Sequence, residues 1–327
     1  MTTGSDRLRL LFCGTPEFAV PPLKFLLAQP DFEILGVITQ PDRPRGRGQE
    51  FSFSPVKQAA LAAGIPIHQP EKIHTPEAQA LLQTLAPDVI VIIAYGQIIP
   101  ARLLPIPRLG WINLHASLLP KYRGAAPINW AIVNGERKTG VTTMRIDAGM
   151  DTGEMLLQEE LEIGPKETAP ELAARMSELG APLMAETLRG LASGSIVLRP
   201  QDHQQASNAP ILKKEDGLIN WSLTAQEIFN RIRGFAPWPG AYTSFRGQIC
   251  HLWGEPVSAP VADQIPPKPQ DALPGSLHAS RNTLFVACGG TTHLRLLAVK
   301  LEGRKQVSAS EFANGARLLP GERFGQP

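Results

Sequence analysis

Asn113 and His115 stand two residues apart at the end of an apolar run, Ile112 to His115, that has the pattern of a short strand. Alternate side chains of a strand share a face, so an amide and an imidazole would point into one space. The amide can donate to a carbonyl oxygen as that oxygen gains negative charge. The imidazole titrates near neutrality and can move a proton or stabilise charge. The plainer alternative is a hydrogen-bonded structural histidine beside a turn. A second group, Asp147-Ala148-Gly149-Met150-Asp151-Thr152-Gly153, follows another strand-like run. A carboxylate from it near His115 would orient the ring and fix its tautomer. Spacing alone leaves Asp147 and Asp151 both open. A third group is basic: Arg43, Arg45 and Arg47 alternate with proline and glycine in 40–54. Each guanidinium could hold a phosphate through paired donors; a solvated charge run is the plainer reading. Lys213, Lys214, Arg231, Arg233, Lys300, Arg304 and Lys305 add positive charge further along. Phosphate contacts there would position an RNA without reading its bases.

Other chemistries lack their spacing. The turn CGTPEF after the first strand has neither GxGxxG nor GxxxxGK[ST], so it offers no phosphate cradle. His68, His74, His115 and Asp151 form no HxH, HExxH or compact metal-ligand group. Ser117 lacks the GxSxG elbow of a serine nucleophile.

The elements that must position these groups alternate. Strands are expected at 7–13, 32–39, 66–68, 88–94, 112–115, 141–146 and 154–160, with helices at 16–28, 55–63, 75–86, 126–134 and 168–188. That order predicts an α/β domain with a mostly parallel, Rossmann-like sheet, in which ligands sit beyond the carboxyl ends of strands. Pro21 and Pro22 are awkward inside one helix and are expected to split or kink it. The run DVIVIIA at 88–94 reads as a central strand covered on both faces. Segment 40–54 fits neither a helix nor a central strand. The polar, aperiodic stretch 190–208 reads as a linker. Beyond it come a helix at 223–233 and strand-like pieces at 241–245, 248–253, 275–280, 283–288 and 292–299, the pattern of a small barrel or sandwich. The expected domains are therefore 1–189 and 209–327. No role is assigned to the proline-rich arm 256–274.

Composition agrees with a folded chain of about two domains. Of 327 residues, 43% are apolar and 19% charged. No apolar run approaches the ~18 residues that cross a bilayer. Three scattered cysteines, Cys13, Cys250 and Cys288, give no disulfide framework, which points to a reducing, cytoplasmic setting. Net charge is +2; residues from 207 onward hold 13 basic and 9 acidic groups, or +4, so the second domain is the better candidate to meet an anion. Nothing requires a dimer, and a monomer is expected.

Several stretches carry a resemblance: FCGTPEFA (12–19), TQPDRPRGRG (39–48), SPVK (54–57), APDVIVIIAYGQIIP (86–100), INLHASLLPKYRGAAPI (112–128), GVTTMRIDAGMDTGEML (140–156) and INWSLTAQEI (219–228). Over nearly its whole length the chain resembles the methionyl-tRNA formyltransferase family. That resemblance implies a formyltransferase fold followed by an OB-like β-barrel. It implies transfer of the formyl group of 10-formyltetrahydrofolate to the α-amine of methionyl initiator tRNA, with no metal and no membrane. It implies a catalytic trio of Asn113, His115 and Asp151, with Asp151 chosen because it matches the aspartate before Thr-Gly. It implies folate contacts at Ile93, Ala94, Tyr95, Gly96, Gln97, Ile98, Ser117, Leu118, Leu119 and Pro120. Finally it recasts Arg43, Arg45 and Arg47 as a loop used on the tRNA acceptor end, and the basic residues of the second domain as tRNA contacts.

Overall fold

The computed structural model describes residues 7–45, 50–257, 273–280 and 283–325. Arg47 and most of the proline-rich arm therefore lie outside the described residues. The chain forms two compact units. One comprises Met1–Pro127, Lys138–Glu162 and Glu171–Pro210; the other comprises Ile128–Arg137, Ile163–Pro170 and Ile211–Pro327.

The first unit is built on a seven-stranded sheet. Strands β1 (Leu8–Gly14) and β2 (Phe32–Ile38) pair in parallel. A small hairpin, β3 (Arg43–Arg45) and β4 (Glu50–Ser52), stands outside that sheet, as the proline and glycine content of 40–54 demands. β5 (Ile67–His68), β6 (Val89–Ile93) and β7 (Trp111–His115) complete the parallel part, in the order β5-β2-β1-β6-β7. β8 (Lys138–Arg145) and β9 (Met155–Glu162) extend it antiparallel. All five residues of β6 are buried, as a strand with helices on both faces requires.

Helix α1 (Val20–Leu27) follows a 3-10 turn at Glu17–Ala19. Pro21 and Pro22 fall in its first turn, where a missing N–H costs nothing, so the break expected from them lies just ahead of the helix. α2 (Pro55–Ala62) and α3 (Pro76–Leu85) begin alike. Ser54 and Thr75 accept from the backbone N–H three residues on, at 3.1 and 3.2 Å, and proline occupies the first turn. Helix α4 (Pro127–Val133) comes next. The long helix α5 (Ala169–Ser193) meets β7 through Gly180, where any Cβ would lie 2.4 Å from Leu114 Cδ2. Leu114 is thus fixed towards α5, which turns its neighbours Asn113 and His115 to the other face.

The stretch expected as a linker is instead hydrogen-bonded along the first unit. Arg199 exchanges both backbone bonds with Met155, and Ala209 does the same with Arg123 and Ala126 across two residues. Gln201 donates to the carbonyls of Asp151 and Gly153 and Ser207 accepts from Tyr122 N–H, so its polar residues brace neighbouring loops without a hydrophobic period.

The second unit has an antiparallel six-stranded sheet: β10 (Tyr242–Phe245), β11 (Gln248–Pro256), β14 (His293–Leu301), β13 (Thr283–Ala287) and β12 (Leu277–Ser280) in that order, with β15 (Val307–Ser308) on β14. Its core stacks Trp221 on Phe324 and sets Phe245 edge-on to Phe312, with ring centroids 5.6 and 5.0 Å apart. Helix α6 (Ala225–Gly234) and a helix the sequence reading did not foresee, α7 (Ala309–Ala316), both open with a capping box.

Candidate active site

The site is assembled where β6 and β7 end. Ile92 pairs with Asn113, so the chain leaving β6 turns away beside His115. Asn113 is part-buried and His115 almost fully buried. His115 Nε2 lies 2.9 Å from the carbonyl of Tyr122 and donates to it. Nδ1 faces Asp151 Oδ2 at 3.6 Å. The same carboxylate oxygen accepts from the backbone N–H of Gly124 at 2.8 Å. The 3.6 Å gap leaves Nδ1 as the nitrogen open to a further partner.

The choice between the two aspartates is resolved by their partners. Asp147 accepts from Gly149 N–H at 3.0 Å and from the Thr152 hydroxyl at 2.8 and 2.9 Å, so it closes the turn. Asp151 is the one turned to the histidine. It does so from a left-handed backbone, φ +52°; Tyr122 (φ +62°) and Ala94 (φ +47°) share that conformation. Each costs a non-glycine residue on the order of 1–3 kcal/mol, and such strain gathers where a site dictates backbone direction.

Four residues of the frame escaped sequence reasoning. Gln201 Nε2 donates to the carbonyls of Asp151 and Gly153, both at 2.8 Å, while its Oε1 accepts from Arg123 Nε (3.0 Å) and from a terminal Arg123 nitrogen (2.6 Å). It binds the loop of Asp151 to the loop of Tyr122. Ser207 Oγ accepts from Tyr122 N–H at 2.9 Å. Gly124 has φ +118° and a Cβ there would stand 2.7 Å from the Ala209 carbonyl. Arg123 and Gly124 lay inside a quoted motif, but nothing in the sequence ties them to residues 201–209.

The expected folate residues divide by exposure. Ile93 and Tyr95 are buried, Tyr95 within the core beside Cys13. Burial pushes both the Tyr95 phenol and the Cys13 thiol far up, so neither supplies a nucleophile. Burial also pushes Cys250 and Cys288 up to about 12. Ala94, Gly96 and Ile98 are exposed, Ile98 by 84%. Gln97 is bound to the backbone: its Oε1 accepts from Ile73 N–H at 2.7 Å and its Nε2 donates to the Glu71 carbonyl at 3.2 Å. Ser117 and Leu119 are buried; Ser117 Oγ donates to the Lys121 carbonyl at 2.6 Å, and Leu118 and Pro120 are part-buried.

Among the expected RNA contacts, Arg43 is exposed on β3, as are Lys213, Lys214, Lys300, Arg304 and Lys305; Arg231 is part-buried over the Phe235 ring. Arg45 sits in the hairpin. Arg233 is a correction. It is buried, and its guanidinium donates to Asn230 Oδ1 (3.1 and 3.0 Å) and to the carbonyls of Gly164 (3.2 Å) and Glu167 (3.0 Å). It holds the second unit's interior together and has turned its donors away from any phosphate.

Among the described residues no group of three or more His, Cys, Asp or Glu side chains could hold a metal ion.

Family models of the formyl transferase and of the formyl transferase C-terminal domain match residues 9–188 and 211–317. A methionyl-tRNA formyltransferase of Solibacter usitatus is 52% identical over 98% of this chain and 99% of its own, and one of Koribacter versatilis is 50% identical over 97% and 98%. An N-formyltransferase from Helicobacter canadensis, solved with folinic acid and dTDP-3-aminofucose, shares the fold with a TM-score of 0.62 at 19% identity, over 88% of this chain and 98% of its own. With an amide, an imidazole and a carboxylate brought to the end of β7, and relatives this similar along their whole length, the chain belongs to the methionyl-tRNA formyltransferase family.

Proposed function

We propose that the chain transfers the formyl group of 10-formyltetrahydrofolate to the α-amine of methionyl initiator tRNA, with Asn113, His115 and Asp151 as its catalytic residues. The observation that supports this reading is the placement of Asn113 and His115 on one face at the end of β7, with Asp151 Oδ2 3.6 Å from His115 Nδ1. The folate supplies a formyl carbon already activated by its N10 attachment. Asn113 Nδ2 and the His115 Nδ1–H donate to the formyl oxygen as it becomes anionic. Asp151, beside Nδ1 and itself held by Gly124 N–H, and the Tyr122 carbonyl on Nε2 together fix the imidazole orientation. The amine nitrogen forms the new C–N bond, the bond from carbon to N10 breaks, and one proton passes from the attacking nitrogen to N10.

The exposed backbone around Gly96 and the bare apolar side chain of Ile98 suit a flat heteroaromatic ring lying along 94–98, beside Ser117 to Pro120. The hairpin of Arg43 and Arg45, together with Arg47, meets the acceptor end. Lys213, Lys214, Arg231, Lys300, Arg304 and Lys305 meet tRNA phosphates from the second unit. The first unit is the catalytic domain and the second the tRNA-binding domain; the protein works as a cytoplasmic monomer. No helix among the described residues is long and apolar enough to cross a membrane.

The test is formyl transfer to methionyl initiator tRNA against an elongator tRNA and against a nucleotide-linked amino sugar. Turnover confined to the initiator supports the reading. Turnover on the sugar with none on tRNA would place the chain with the sugar enzymes that share its fold.

A further inference from the structure

The root of the arginine hairpin is tied down far more heavily than a solvated loop needs. Its two stems meet through the buried hydroxyls of Thr39 and Ser54, 2.8 Å apart. Lys57 Nζ reaches both Asp42, as an ion pair, and Gln69 Oε1 at 2.8 Å, and lies 4.2 Å above the Phe53 ring. Gln69 Nε2 donates to the Gln40 carbonyl at 2.9 Å and to Asp42 Oδ1 at 3.1 Å.

One side chain carries this network into another loop. Gln40 Nε2 donates to the carbonyl of Tyr95 at 3.1 Å, and Thr15 Oγ1 donates to the same oxygen at 3.0 Å. The left-handed residues on either side, Ala94 and Gly96 (φ +90°), turn that carbonyl out of the strand direction. The Tyr95 ring is anchored in the core, so the 94–98 loop is pinned by its ring below and by Gln40 and Thr15 above. Gln40 Nε2 also lies 3.5 Å from where a Gly96 Cβ would stand, so the amide runs along the exposed stretch of that loop.

We propose that Gln40 is a positioning residue that joins the hairpin root and the 94–98 loop into one hydrogen-bonded frame, so that folate bound at the loop and tRNA bound at the hairpin favour one another. The proposal rests on the reading above that these two segments meet those two substrates. A ligand that orders one end of a shared frame spares the second ligand part of the ordering cost, and the effect is reciprocal. Neither Gln40 nor Thr15 touches a reacting atom in this scheme; they act through the Tyr95 carbonyl.

The test measures folinic acid affinity with and without methionyl initiator tRNA, by titration calorimetry on the whole chain. In the wild type, tRNA should tighten folinic acid binding by about 5- to 50-fold, the usual scale of coupling between sites. In Gln40→Ala that ratio should fall to within about twofold of unity, whereas a thermal melt and each ligand's affinity measured alone should move far less. Gln40→Asn, one methylene too short to reach the Tyr95 carbonyl, should give the same loss and serves if the alanine variant does not fold. A ratio of one in the wild type, or a wild-type ratio in both variants, overturns the proposal. Arg43→Ala separates it from the underlying reading: tRNA affinity untouched by that change removes the hairpin's role, whatever Gln40 does.

Discussion

Replacing His115 or Asn113 by alanine should lower kcat by about 10²-fold or more each, because an oxyanion donor acts mainly in the transition state. Single-turnover formyl transfer at saturating folate and tRNA measures that step; a rate near wild type in either variant removes the residue from the chemistry. Gln201 belongs to the same scale but to a different role. It is nearly buried and satisfies two carbonyls, one of them that of Asp151. Gln201→Ala leaves those acceptors unmet, at about 1–3 kcal/mol, and frees the Asp151 loop. Both the urea midpoint and kcat should drop, and a variant stable as wild type with full kcat would show that the loop is held by other means. The placement of the Asn113, His115 and Asp151 side chains was legible: strand alternation set the first two on one face, and the resemblance pointed to Asp151, which lies beside the His115 ring. Residue patterns could not separate Asp147 from Asp151, since both sit in one Asp-Gly turn. In the structure the hydrogen bonds that occupy Asp147, and the approach of Asp151 to His115 and Gly124, distinguish them.

At the scale of elements, the strand order was readable because β6 is apolar throughout and the helix starts carry Ser-Pro and Thr-Pro caps. The contribution of 196–210 was not. Gln201, Ser207 and Ala209 act through contacts roughly eighty residues away in sequence, and polarity without a period looks the same in a tether and in a loop brace. Helix α7 was missed although Ser308 and Glu311 spell a capping box, because the run that follows is short. Two expectations follow for loops. Gly124→Ala combines a forbidden φ with a clash on Ala209 O and should cost at least about 1–3 kcal/mol while displacing the Gly124 N–H from Asp151. A denaturation curve superimposing on wild type would contradict it. Arg43→Ala should weaken tRNA binding with little change in folate affinity, and should reduce the salt slope of binding by about 1. Filter binding across a salt series reads that slope directly.

At the scale of the molecule, both units carry groups whose titration opposes the fold in the same direction. Burial lowers the pKa of His68 in the first unit below its ordinary 6.5. His251 in the second unit is lowered too, by burial first, then by Lys300 and Lys214, with Glu302 opposing. A histidine whose folded pKa is depressed stabilises the fold above its unfolded pKa, and that contribution is lost as pH falls. Hydrogen-bonded carboxylates follow at lower pH. Arg189 holds Asp31 below the ordinary carboxylate range, Lys57 does so for Asp42, and Lys166 followed by Arg295 for Glu255. Their contribution is complete above the unfolded value near 4 and disappears as pH drops through the folded one. Stability should therefore be level between about pH 7 and 8, decline from about 6.5 downward, and fall again below about 4. Urea midpoints measured across pH in wild type, His68→Gln and His251→Gln test the assignment. Each glutamine variant should flatten the first decline and leave the acid one intact. Midpoints that rise from pH 7 to 5, or a first decline unchanged in both variants, would mean that other groups govern this range.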